Sequence, residues 1–156
     1  MAVSANKELR KLEWRSNLSV GVASIDDEHQ LLIGVLNQLI EARDTPTEYT
    51  IADRVLRDLF AYADYHFEHE EELMATYDYP ELSSHMTQHA QFIARLRQLD
   101  LGLSIGDARV EDLARFVLNW FVAHIMVTDM QLGAFLGERL CKERSPFEFE
   151  SYRLAC

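Results

Sequence analysis

The sequence predicts an all-α protein, an up-down-up-down four-helix bundle with an N-terminal arm and a short C-terminal tail. Three observations predict it. Apolar residues recur at helical spacing through four long stretches. Short segments marked by Pro46, by Pro80, and by Gly102 with Gly106 separate those stretches. No stretch alternates apolar and polar residues as a half-buried strand does. Short loops between long amphipathic helices make each helix antiparallel to the next, and 156 residues suffice for one domain with a real core.

Residues 1–23 read as an irregular arm that packs on the bundle through Leu12, Trp14, Leu18 and Val20. The bundle occupies 24–140. Ser24 or Asp26 is positioned to cap the first helix, whose inward face carries Leu32, Leu36, Leu39 and Arg43, with Ile33 and Ile40 beside them. "RDTPTE" ends it at Pro46. The second helix runs from about Glu48 to Ala75, with Val55, Leu59, Tyr62, His66, Glu70 and Leu73 inward. After the turn at Pro80, a third helix runs from about Leu82 to Leu101, with Ser83 or Ser84 near its start. Its stripe reads His85, His89, Phe92, Leu96 and Leu99. The fourth spans roughly Arg109 to Leu140 and turns Leu113, Val117, Trp120, His124 and Thr128 inward. Residues 141–156 form the tail, where Phe147, Phe149 and Tyr152 are expected to pack on the bundle or, as the alternative, on a partner.

A net charge of −11, with no dense cluster of Lys and Arg, argues against a nucleic-acid or anionic-membrane surface. No apolar run approaches signal-peptide or membrane-span length. Cys141 and Cys156 form no disulfide framework and read as reduced thiols of a cytoplasmic protein.

Five of the six histidines, His29, His66, His85, His89 and His124, occupy positions where the pattern wants a core residue. Unpartnered burial costs about 1–3 kcal/mol for each polar group, and a marginally stable domain does not carry five such groups easily. A metal supplies one partner to all of them. At about 1.5 Å of rise per residue from each turn, the five fall in one layer, nearer the Pro80 end. His85 and His89 are an i, i+4 pair, and His66 with Glu70 repeats that spacing on the neighbouring helix. Asp129 offers a second carboxylate. Five residues beyond His124 on a regular α-helix, it would point about 140° away, so a π-type departure is expected between them.

The donor set restricts the metal. Five imidazoles and two carboxylates exceed the four ligands of a tetrahedral zinc, and calcium or magnesium prefers oxygen alone. Mixed imidazole and carboxylate ligands suit iron or manganese. If both carboxylates bridge, and an oxo or hydroxo group is shared, two octahedral ions are satisfied but for one place. That place is where dioxygen would bind.

The order "His29 … HFEHE … HMTQH … HIMVTD" resembles the signature of the hemerythrin family in its bacterial form. Trp14, "GVASIDDEHQLL", Tyr62, "YP" at Tyr79 and Pro80, Phe92 and Trp120 add to the likeness, which covers about residues 12 to 138. The resemblance implies a non-haem centre of two iron ions, joined by an oxo or hydroxo bridge, that binds dioxygen reversibly for carriage, storage or delivery. It implies that His85, His89 and His124 hold one iron, that His29 and His66 hold the other with its open place, and that Glu70 and Asp129 bridge.

No enzyme activity is expected, because the paired Glu-x-x-His motifs of carboxylate-rich di-iron oxygenases are missing. The rival reading is an oxygen or redox sensor acting through a separate protein partner, or as a piece of a larger signalling protein. His69 departs from the pattern and is expected in solvent, or against a ligand, rather than on the metal. Glu68, Glu71 and Glu72 read as solvated surface, with a bond to a ligand imidazole open to one of them.

Overall fold

The computed structural model describes residues 9–143, with side chains to residue 140. A short 3-10 turn, Ser16–Leu18, lies in the arm. Then follow α1 (Ala23–Ala42), α2 (Glu48–Thr76), α3 (Leu82–Ser104) and α4 (Val110–Ala123). A π-helical turn, His124–Asp129, leads without a break into α5 (Met130–Glu143). The fourth helix of the bundle is therefore α4, the π turn and α5 together. Each helix packs against its chain neighbours, and α4 closes the ring on α1. Among the described residues there is no strand.

Most residues of the stripes read from the sequence form the core, but Arg43, read as inward, follows the last residue of α1 and is half-buried. Ile25, Leu36, Leu39, Val55, Leu59, Leu96, Leu99 and Leu113 are all buried, and so are Leu132 and Leu136 further along. Met74, rather than Leu73, is fully enclosed at the end of α2, while Leu73 packs at the margin.

Neither Ser24 nor Asp26 caps α1. The helix starts one residue before Ser24, with Val22 at the cap position and no side-chain cap. The Asp26 carboxylate faces back to the arm. It accepts from the Val20 N–H at 2.8 Å and the Ser19 hydroxyl at 2.6 Å. Nor does a serine cap α3, where Glu81 precedes the first residue without a side-chain bond.

The arm is pinned further along by Asn37, whose amide exchanges two 2.9 Å hydrogen bonds with the backbone of Leu12. Leu18 and Val20 are buried, and Leu12 and Trp14 pack partly buried against the core. Gly133 lets the arm lie directly on α5: a Cβ there would stand 2.0 Å from the Val20 carbonyl oxygen. The expected packing of Phe147, Phe149 and Tyr152 lies outside the described residues, as do Cys156 and the side chain of Cys141.

Candidate metal centre

Each of the four helices delivers donors to one layer. His29 comes from α1, His66 and Glu70 from α2, His85 and His89 from α3, and His124 and Asp129 from the two ends of the π turn. All seven are buried. The π turn has the effect expected of it. By adding a residue to one turn, it brings Asp129 to the face that His124 already occupies. Thr128, placed inward by regular helical counting, is half-buried instead and donates its hydroxyl proton to Gln88.

The donors fall into two overlapping groups: Glu70, His85, His89 and His124; and His29, His66, Glu70 and Asp129. Within each, one ligand atom per residue lies within 4.8 Å of all the others. Both carboxylates straddle the groups. Glu70 turns Oε1 to His66 Nε2 at 3.6 Å, and Oε2 to His85 Nε2 at 3.3 Å and His89 Nε2 at 3.2 Å. Asp129 turns Oδ2 to His29 Nε2 at 3.2 Å, and Oδ1 to His85 and His124 Nε2 at 3.3 and 3.0 Å.

The electrostatics follow from this crowding. Burial and the charge of Asp129 push Glu70 upward, and His66, His85 and His89 outweigh them, so that it is lowered to about 2. Burial opposes protonation of His85, yet Asp129 and Glu70 raise it to about 9. Asp129 is driven well below its ordinary range: burial works against this, but His124, His29 and His85 prevail.

The residues fit a cationic group. Both nitrogens of His29 and His85, and all four carboxylate oxygens of Glu70 and Asp129, are buried without a hydrogen-bond partner. Buried polar atoms seldom remain so. His89 and His124 point their Nε2 atoms at each other across 3.2 Å. Acceptors hold their outer nitrogens: Glu71 at 2.9 Å from His89 Nδ1, and Gln88 at 3.2 Å from His124 Nδ1. With each Nδ1 donating its proton, two Nε2 lone pairs face one another, an arrangement that a metal ion between them would satisfy. The third outer partner is Glu28, at 2.7 Å from His66 Nδ1.

Aromatic rings wall the centre. Phe67 stacks on His89 with centroids 3.8 Å apart, and Trp120 on His124 at 4.2 Å. Phe121 meets His29 edge-on at 5.6 Å. Beside His66 lies a cavity of about 10 Å³, lined by apolar residues including Leu32, Leu36, Phe67 and Phe121. It has room for about one water-sized molecule.

All seven residues singled out from the sequence meet here, and His69 stays outside both donor groups. Of the three glutamates read as surface, Glu71 is the one that bonds a site imidazole. Sequence reasoning passed over Glu28 and Gln88. A signal existed, since each immediately precedes a site histidine, but many surface residues sit in such a place.

The comparisons agree with this geometry. A family model described as the hemerythrin HHE cation binding domain matches residues 20–136. A bacteriohemerythrin of Stenotrophomonas maltophilia is 30% identical over 118 residues, 76% of each chain. A hemerythrin-like protein of Naegleria gruberi is 29% identical, over 79% of this chain and 92% of its own. The crystal structure of wild-type hemerythrin superposes with a TM-score of 0.74 at 27% identity, covering 81% of this chain and 98% of that one. Matching in sequence over three quarters of its length and in the course of its four helices, the chain belongs to the hemerythrin family.

Proposed function

We propose that this protein binds dioxygen reversibly at a pair of iron ions, as a cytoplasmic carrier, store or donor of oxygen and not as an enzyme. One observation carries the reading: Glu70 and Asp129 each turn one oxygen to either histidine set, as two carboxylates bridging two ions would. His85, His89 and His124 would hold one iron, and His29 and His66 the other. When bound, the irons supply electrons and an open coordination place for dioxygen.

The chain's own residues set the conditions around that place. Glu28, Glu71 and Gln88 accept the outer protons of His66, His89 and His124, which keeps each Nε2 directed inward. Five imidazoles lend less negative charge than carboxylates would, which disfavours highly oxidised iron. Phe67, Phe121 and Leu36 line the cavity beside His66, and such an apolar wall would keep water and its protons away from that side of the site.

Stopped-flow absorbance of the reduced, iron-loaded protein tests this. Carriage gives a charge-transfer band that forms with oxygen and disappears under argon. Fast decay to oxidised protein with peroxide released favours sensing or turnover instead.

A further inference from the structure

Three of the five site imidazoles have described partners on their outer nitrogens, and the three partners differ. Gln88, on His124, is neutral and also receives the Thr128 hydroxyl proton. Glu71, on His89, has a side chain 28% exposed. Glu28, on His66, has a side chain only 8% exposed. Its second oxygen is also engaged: His69 Nδ1 stands 2.7 Å from Oε1 while His66 Nδ1 stands 2.7 Å from Oε2. His66 and His69 are an i, i+3 pair on α2, so both project toward α1, where Glu28 meets them across the helix interface.

We propose that His69 and Glu28 are a positioning pair for His66, in which His69 clamps the carboxylate and the carboxylate sets the rotation, tautomer and donor strength of the imidazole on the open iron. The pair rests on the di-iron reading above. A Glu side chain held by one hydrogen bond still exchanges rotamers; tethering both oxygens to donors on one helix removes that freedom before any metal arrives. Glu28 then keeps the proton of His66 on Nδ1 and the lone pair of Nε2 on the side of Glu70. A carboxylate acceptor also makes an imidazole a stronger metal donor. His69 contributes a hydrogen bond to this and touches no metal.

The experiment measures cobalt(II) affinity of the metal-stripped chain by chelator competition, and the midpoint potential of the iron-loaded chain, for the parent, Glu28→Ala, His69→Ala, His69→Asn and His69→Gln. The side chain of His69 is 26% exposed, so its variants are expected to fold, which circular dichroism checks. An Asn amide nitrogen superposes on Nδ1 of histidine, and a Gln amide nitrogen on Nε2. Glu28→Ala should weaken the second cobalt ion by about 10–100-fold. His69→Ala should weaken it several-fold and shift the potential, His69→Asn should restore both, and His69→Gln should not. A flat His69 series in a parent that binds two cobalt ions overturns the positioning pair and leaves the di-iron reading standing, and so does rescue by Gln as complete as by Asn, or no rescue by Asn. A parent that binds no second ion overturns the di-iron reading itself.

Discussion

Nε2 of His85 stands 3.3 Å from an oxygen of Glu70 and 3.3 Å from one of Asp129, and these two carboxylates favour its proton. Burial acts against that proton, and Asp129 and Glu70 overcome it, raising the group from 6.5 to about 9. The stability it contributes to metal-stripped protein is complete below pH 6.5 and is lost as pH rises through about 9. Metal-bound imidazole has no such proton to lose. The urea midpoint of stripped protein should therefore fall between pH 6.5 and about pH 10, while that of metal-loaded protein should change much less. Equal slopes in both forms would remove the assigned role from His85. Phe67 belongs to the same scale. It stacks on His89, meets Trp120 at 5.9 Å and walls the cavity beside His66. Phe67→Ala should cost about 3–5 kcal/mol by denaturant titration. It should also hasten oxidation of the reduced protein in air, because the vacated space admits water to the open side.

At the scale of elements, the arm and the π turn show what a sequence pattern can and cannot carry. The four helices were legible because burial imposes a period that the apolar residues keep. The five histidines were legible because they stand in that period where a hydrocarbon is expected. The π turn was legible for a related reason, since Asp129 is five residues from His124 and a regular helix cannot turn both inward. The role of Asp26 was not. An acidic residue near a helix start looks like a cap for that helix, and only the path of the preceding chain reveals that it receives Val20 and Ser19 instead. Glu28 and Gln88 were illegible on similar grounds, because an imidazole's outer partner is chosen by the neighbouring helix rather than by the period of its own.

The arm makes its own prediction. Gly133→Ala would drive a methyl into the Val20 carbonyl, which is backbone and cannot rotate away. The expected loss is about 1–3 kcal/mol, read from the denaturant midpoint, with the arm becoming a site of early proteolysis. An unchanged midpoint would show that the arm does not rest on α5.

For the molecule as a whole, the centre draws its donors from four helices that also meet through side-chain packing and through hydrogen bonds such as Arg54 to Gln38 and Thr128 to Gln88. A ligand that binds only the folded chain adds about 4 kcal/mol at a thousand times its dissociation constant. Metal removal by a chelator should accordingly lower the melting temperature by several degrees, and readdition should restore it. Among the described residues no helix is long and apolar enough to cross a membrane. In the proposed centre the two histidine sets hold a pair of irons with a single place left open. The most direct measurement is iron content combined with an anaerobic oxygen titration of the reduced protein. Two irons and one reversibly bound dioxygen per chain are predicted; a single ion per chain, or two irons that never take up oxygen, would contradict the account.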